Sequence, residues 1–268
     1  MKLDWPTLLA GSRQSHAAST HMTWPSTTLL ALLTALAGTA DGASLAPQMS
    51  SLRFGDTEVQ VEQEFSDAEE GSVLWDCSRS FLAYVTQSSD IRGKRVLEIG
   101  AGTGAVGLAL ARLGADSVVV TDKSSQLPLM RRNIEHNQLS DLVRVELLTW
   151  GEDWRNHASA EVAGRGAFDV LVCCDCVYPS VSPEPLVHVL CDLLQLNPTA
   201  VLLLASEYRP PTANTPDGVD HVADFFALVR DRGLDCQRVT DAELAPEWRC
   251  EEISLWRIQS AGSAPHFK

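Results

Sequence analysis

The sequence predicts an α/β fold in which helices cover both faces of a mainly parallel sheet. Short runs of branched and aliphatic residues alternate with helix-like segments from Lys94 onward. The first of these runs ends in a glycine-rich turn, which is typical of a strand that leads into a helix at a ligand site. Two strand-like runs near the C-terminus have no helix between them, which predicts an antiparallel hairpin at the edge of the sheet.

Length and composition fit one such domain with an N-terminal extension. The chain has 268 residues, of which 45% are hydrophobic, and this is enough for one large core. Its formal net charge is -14, whereas binding to nucleic acid normally needs a basic surface. We therefore expect no nucleic-acid partner. The seven cysteines form no double C-x-x-C pattern, so we expect reduced thiols and no metal site.

Residues 1–50 differ from the rest of the chain, because they are rich in Ser, Thr and Ala and carry few charges. The apolar run Leu29–Ala37 is too short to span a membrane as a helix, so we expect no membrane segment. We interpret residues 1–50 as a disordered or targeting extension, 51–260 as the folded domain and 261–268 as a tail. We expect a cytoplasmic monomer, or an organellar protein if the extension is a transit peptide; a secretory signal is a further alternative.

The folded part begins with a predicted β-hairpin and a helix. Gly55-Asp56 supplies a turn within Leu52–Phe65, where Val59 and Val61 alternate with polar residues. Leu74–Val85 follows, and its apolar residues recur at helical spacing.

Alternating strands and helices make up the centre of the chain. The predicted strands are Arg95–Ile99, Ser117–Thr121, Leu142–Leu147, Phe168–Cys174 and Ala200–Ala205. The predicted helices are Gly104–Leu113, Ser125–Asn137, Glu184–Leu194 and Val219–Arg232. The strands of the C-terminal hairpin are Cys236–Val239 and Cys250–Ile258.

The glycine turn, Glu98-Ile99-Gly100-Ala101-Gly102-Thr103-Gly104, is the first predicted binding feature. Glycine lets the backbone turn sharply and approach a ligand where a Cβ would collide. Gly102, Gly104 and Gly107 also satisfy the G-x-G-x-x-G spacing of NAD binders, so the spacing alone leaves two ligands open. The acid before the glycines suits the ammonium of S-adenosylmethionine, which has no phosphate. A turn without a ligand is the third alternative.

Further polar residues follow the next three strands. Asp122 ends the second strand, where an acid can accept hydrogen bonds from ribose hydroxyls or cap the next helix. Trp150 follows the third strand, where it can stack on adenine or pack in the core. Asp175 and Tyr178 leave the end of the fourth strand, and binding sites of parallel sheets lie at such carboxyl ends.

In this order, the segments resemble the seven-stranded methyltransferases that modify protein lysines, the group with a D-x-x-Y motif after strand four. The resemblance covers about residues 51–258. The segments that carry it are Val73–Ser78, Leu97–Leu108, Leu113–Asp116, Val119–Asp122, Trp150–Glu152, Asp175–Tyr178, Ser206–Arg209 and Glu247–Ile253. It implies a Rossmann-like seven-stranded methyltransferase sheet, S-adenosylmethionine as the cofactor, and a protein substrate, which presents a lysine.

The resemblance also implies roles for single residues. Asp175 and Tyr178 would flank the target nitrogen as the catalytic pair. Trp75 would belong to an N-terminal segment that closes over the cofactor, and Cys174 stands where the family usually has a smaller residue. The full predicted cofactor-binding set is Trp75, Glu98, Gly100, Ala101, Gly102, Gly104, Asp122, Trp150 and Cys174.

The predicted reaction is an in-line displacement at the sulfonium methyl, which needs no metal. The enzyme must deliver a neutral lysine amine in line with the C–S bond. The reference pKa of lysine is about 10.4, and desolvation beside a cationic sulfur lowers it. Alternative functions are methylation of arginine, histidine or a small molecule, an NAD-dependent oxidation, or cofactor binding without catalysis, because the fold alone does not fix the acceptor.

Overall fold

The structure is a computed structural model that describes residues 47–64, 70–88, 91–179, 181–209, 220–244, 246 and 249–262. The predicted N-terminal extension therefore lies almost entirely outside the described residues, as does most of the predicted tail. Within the described ranges, no helix is both long enough and apolar enough to cross a membrane.

The predicted N-terminal hairpin is confirmed. Strands β1 (Gln48–Phe54) and β2 (Thr57–Gln63) pair in antiparallel fashion on either side of the turn at Gly55-Asp56. Strand β1 begins at Gln48, ahead of the expected domain start at residue 51, because Gln48 still pairs with Gln63.

The predicted seven-stranded sheet is also confirmed. Its strands are β3 (Arg95–Ile99), β4 (Ser117–Asp122), β5 (Val143–Leu147), β6 (Val170–Cys174), β7 (Val201–Glu207), β8 (Leu234–Arg238) and β9 (Ile253–Ser260). Their order in space is β5-β4-β3-β6-β7-β9-β8. Strands β3 to β7 are parallel, and β9 lies antiparallel between β7 and β8. The chain order therefore reverses beside β3, so the carboxyl ends of β3, β4 and β6 meet at the switch point where such sheets bind ligands.

Helices cover both faces of the sheet. They are α1 (Asp76–Ser88), α2 (Ala105–Arg112), α3 (Leu127–His136), α4 (Pro183–Leu196) and α5 (His221–Asp231). The first three pack with the hairpin on one face, and α4 and α5 pack on the other. Alternate strand residues enter the two cores: Val96 faces the first and Leu97 the second.

Many element bounds differ from the predicted ones by a few residues, and two of these differences have identifiable reasons. Helix α3 begins at Leu127 rather than Ser125, with Pro128 in its first turn, where the missing N–H costs nothing. Strand β9 begins at Ile253 rather than Cys250, because its pairing with β7 starts opposite Glu207.

Two asparagines, Asn133 in α3 and Asn137 at its C-cap, bind the edge of β2 that does not pair with β1. Asn133 accepts a hydrogen bond from the N–H of Glu62 at 2.6 Å and donates one to its carbonyl at 3.0 Å. Asn137 makes the same pair with Gln60, at 2.9 and 2.6 Å. Residues four apart on a helix and two apart on a strand each share a face, so the two amides reproduce the ladder of a third strand. Asn133 also donates to the carbonyl of Thr103 at 2.9 Å, which ties the hairpin to the glycine turn.

Candidate functional site

The glycine turn after β3 has the conformation that its sequence predicts. Gly100 and Gly102 have φ angles of 67° and 54°, which only glycine adopts without strain. A Cβ on Gly102 would lie 2.5 Å from the carbonyl oxygen of Gly71, and one on Gly100 would lie 2.7 Å from the Sγ of Cys176. Both glycines are therefore required by backbone conformation and by close approach.

Backbone hydrogen bonds of Ala101 and Gly104 also hold the turn in place. The N–H of Ala101 donates to the carbonyl of Thr121 at 2.9 Å, so the turn continues the contact between β3 and β4. Gly104, with a φ of 77°, stands at the N-cap of α2, and its N–H donates to the carbonyl of Ala101 at 2.8 Å. These contacts leave the turn at the carboxyl ends of the parallel strands.

Asp122 lies beside this turn at the end of β4. Its Oδ2 accepts a hydrogen bond from the N–H of Gly102 at 2.8 Å, and its Oδ1 accepts one from the N–H of Lys123 at 2.7 Å. The N-cap of α3 is Gln126, so the alternative of Asp122 as its capping residue is wrong. The predicted contact between Asp122 and a ribose stays a prediction, in a position that suits it.

Trp150 and Cys176 border the turn near Gly100. A Cβ on Gly100 would lie 3.0 Å from the Cζ2 of Trp150. Trp150 is half-buried, whereas Trp154 is fully buried and donates through Nε1 to Asp192 at 3.0 Å. Trp150 also packs against this core, which supports the alternative of a core role, and its adenine contact stays a prediction. Cys176, which the sequence analysis did not assign, donates through Sγ to the carbonyl of Ile99 at 3.3 Å.

Glu98 lies under α2 rather than at the open side of the turn. Its side chain is buried, and Oε2 accepts a hydrogen bond from the N–H of Gly107 at 2.7 Å. Burial raises the pKa of Glu98 to about 8, against the lowering effect of that hydrogen bond. In this structure Glu98 supports the strand–turn–helix unit, and its contact with an ammonium stays a prediction.

A second polar group, which we call the acid–arginine cluster, consists of Asp175, Glu207 and Arg209. It lies at the carboxyl ends of β6 and β7. The Nη1 and Nη2 of Arg209 donate to the two carboxylate oxygens of Asp175 at 2.9 and 2.6 Å. Nη2 also donates to Oε2 of Glu207 at 2.8 Å. Such charge-assisted, two-pronged contacts are among the strongest hydrogen bonds in proteins.

The acid–arginine cluster also contacts the segment that leads into α1. The guanidinium carbon of Arg209 lies 5.4 Å from the ring centroid of Trp75, within the range of a cation–π contact. Cys77 is fully buried, and burial raises the pKa of its thiol well above the usual value. Its Sγ lies within 4.8 Å of carboxylate oxygens of both acids. Such a set could surround a metal ion, but the guanidinium of Arg209 already bridges the two carboxylates.

Asp175 and Tyr178 come to the same end of the sheet in the segment after β6, as predicted. Asp175 has a φ of 57°, which costs a non-glycine residue about 1–2 kcal/mol. Its N–H donates to the carbonyl of Ala205 at 2.8 Å, so the ladder with β7 extends one residue past β6. Tyr178 and Cys174 are half-buried. Their contacts with an acceptor and a cofactor stay predictions.

The sequence analysis did not assign Cys77, Cys176, Glu207 or Arg209 to the site. Glu207 and Arg209 lie in a segment that carried the family resemblance, and an acid beside an arginine at the end of a central parallel strand was the available signal. Nothing local distinguishes the two cysteines from core thiols.

Comparison with known proteins gives the family. The model of the lysine methyltransferase family matches residues 53–229. "Protein N-lysine methyltransferase METTL21A" of Mus musculus is 29% identical over 165 residues, which cover 60% of this chain and 72% of that one. "EEF1A lysine methyltransferase 3" of Mus musculus is 32% identical over 167 residues, which cover 60% and 67%.

A solved structure supports the fold. The 16S rRNA N2 G1207 methyltransferase of T. thermophilus, in complex with AdoMet and guanosine, aligns with a TM-score of 0.50. It is 18% identical and covers 81% of this chain and 51% of that one. The family match spans more than half of the chain, and it includes the glycine turn and the acid–arginine cluster. The chain belongs to the lysine methyltransferase family.

Proposed function

We propose that this protein transfers methyl groups from S-adenosylmethionine to a lysine side chain of a protein substrate. The observation that carries the proposal is family membership over residues 53–229. The geometry agrees with it, because a glycine turn and a pair of acids meet at one edge of the sheet. The first feature suits a cofactor and the second suits a cationic acceptor.

The residues at the turn fit this cofactor. Gly100 and Gly102 bend the backbone at φ angles of 67° and 54°, so the turn lies at the carboxyl ends of the strands, where such sheets bind ligands. Gly100, Ala101 and Gly102 would line the methionine end, Asp122 the ribose and Trp150 the adenine. When bound, the cofactor supplies a methyl group that its sulfonium already activates, so the protein itself must bind and orient the acceptor.

The acceptor side must hold a lysine nitrogen and let it lose a proton. Transfer from water into a partly buried site lowers the pKa of a lysine ammonium. Carboxylates at this edge attract the ammonium, and the half-buried Tyr178 would form a wall of the acceptor channel. The proton leaves to water before the nitrogen attacks.

We also propose an AAA-type ATPase as the substrate. The sequence segments named above resemble those of the valosin-containing-protein lysine methyltransferase, a finer assignment than the family itself. A relative that is 32% identical is named for EEF1A instead, so purified elongation factor 1A is the natural competing substrate.

Incubation of cell lysate with isotopically labelled S-adenosylmethionine tests the proposal. We expect labelled lysine in a protein band, identified by mass spectrometry, and we expect the purified ATPase to be labelled faster than elongation factor 1A. Labelling should be abolished in the variant Asp122→Ala. Calorimetry measures the affinity of this variant for the cofactor. Label on arginine or histidine, or binding of NAD instead of S-adenosylmethionine, would contradict the proposal.

A further inference from the structure

We propose that Glu207, rather than Asp175, presents the carboxylate that receives the ammonium of the target lysine, and that Asp175 serves to anchor Arg209. This inference rests on the proposed function and names the residue that binds its acceptor. It changes the role expected for Asp175 from a group that flanks the target nitrogen to a positioning residue.

Arg209 already engages both carboxylate oxygens of Asp175, and the side chain is buried. Both oxygens accept hydrogen bonds from Arg209, at 2.9 and 2.6 Å. The side chain is only 4% exposed. Each oxygen can accept a second hydrogen bond, but burial leaves little of the side chain open to a lysine, and Arg209 already supplies a cationic partner.

Glu207 differs from Asp175 in both respects. Its side chain is 33% exposed. Among the contacts of the described residues, only its Oε2 is engaged, with Arg209 at 2.8 Å. Carboxylate oxygens of Glu207 and Asp175 lie within 4.8 Å of each other. Glu207 thus belongs to the same cluster as Asp175 but keeps Oε1 as a hydrogen-bond acceptor.

The charges of the cluster suit a single added cation. Two carboxylates and one guanidinium leave one net negative charge. The cluster already holds one cation. The guanidinium of Arg209 lies between the two acids, and its carbon lies 5.4 Å from the ring centroid of Trp75. A lysine ammonium that binds Oε1 of Glu207 would neutralise the remaining charge.

The surroundings of Glu207 also favour a pH-dependent role. Burial raises the pKa of its carboxyl above the usual range, and Arg209 lowers it. The other charged groups that face it are Asp175, Asp76 and Glu252, each of which raises it. Cys77 is a neutral neighbour. Since only the ionised carboxylate attracts an ammonium, methyl transfer should weaken as the pH falls through this raised pKa.

The test compares Glu207→Gln with Glu251→Gln, a matched change at an exposed acid that is not among the charged groups facing Glu207. The probe is whole-cell lysate protein at limiting dilution, with tritiated S-adenosylmethionine. We expect Glu207→Gln to reduce the initial rate of lysine methylation about tenfold to hundredfold, the loss of one hydrogen bond to a charged group. Cofactor affinity by calorimetry should not change, because glutamine can still accept from Arg209.

Two further measurements separate binding of the acceptor from a structural role. The loss of rate at low pH should disappear in Glu207→Gln, and Glu207→Asp, which keeps the charge, should retain more activity than the glutamine variant. A Glu207→Gln enzyme as active as Glu251→Gln would overturn the inference, as would equal losses in the Asp and Gln variants. A wild-type enzyme that labels no lysine would instead refute the proposed function.

Discussion

The glycine turn and the acid–arginine cluster lie at the same edge of the sheet, but different interactions build them. The turn is held by backbone conformation and by hydrogen bonds of backbone N–H groups, such as that from Gly102 to Asp122 at 2.8 Å. The cluster is held by charged side chains from strands that are neighbours in space. The first arrangement leaves no room for a Cβ at Gly100 or Gly102, and the second depends on the position of Arg209 between two carboxylates.

The largest expected effect is that of a methyl group on the turn. Gly102→Ala combines a left-handed φ with a Cβ 2.5 Å from a backbone oxygen. We expect a loss of about 3 kcal/mol or more in the free energy of unfolding, since the conformation alone costs about 1–2 kcal/mol. Urea denaturation measures the loss, and calorimetry should show that cofactor binding disappears.

Gly166→Ala is the matched control for that variant. Gly166 has a φ of 64°, but an added Cβ would meet nothing within 4 Å. The free energy of unfolding of Gly166→Ala should fall only by the cost of the left-handed backbone conformation, about 1–2 kcal/mol. Equal losses at the two positions would show that close approach at the turn is unimportant.

Removal of the positive charge from the cluster should have the next largest effect. In Arg209→Met, Asp175 keeps a buried charge without its partner, which costs about 3–5 kcal/mol at fully buried sites. Because Arg209 is 27% exposed, we expect a smaller loss, about 2 kcal/mol. The double variant Asp175→Asn with Arg209→Met should recover part of it in a double-mutant cycle. Additive losses would mean that the pair does not interact.

The smallest expected effect, taken per pH unit, comes from the titration of Glu98, whose side chain is buried beneath α2. Between pH 4.5 and about 8, Glu98 is ionised in the unfolded chain and protonated in the folded one. Folding takes up a proton in this range, so stability should fall as the pH rises, by at most about 1.4 kcal/mol per pH unit.

Thermal unfolding across that range should show a shallower slope in Glu98→Gln than in the wild type. Glu135→Gln, at an exposed position of α3, is the matched control and should keep the wild-type slope. A Glu98→Gln protein with an unchanged slope would place the titrating group elsewhere.

The same contrast explains what could be predicted from the sequence. The glycine turn is local, since Glu98 to Gly104 fix both its bend and its place after a strand. The acid–arginine cluster joins residues 34 positions apart, and no periodicity reports such a pairing. The burial of Glu98, however, could have been predicted from the sequence. Glu98 and Val96 share a face of β3, and Val96 lies in the core on the side of α2.

The asparagine ladder on β2 also bears on association between copies of the protein. Exposed strand edges are templates for pairing with another chain, and proteins avoid aggregation by covering or charging them. Asn133 and Asn137 satisfy backbone groups of β2 that a foreign strand would otherwise use. The opposite edge, β1, carries Arg53 with its ion-pair partner Glu58 on β2. One flank of the hairpin is thus closed to strand exchange by amides, and the other presents charge to an incoming chain.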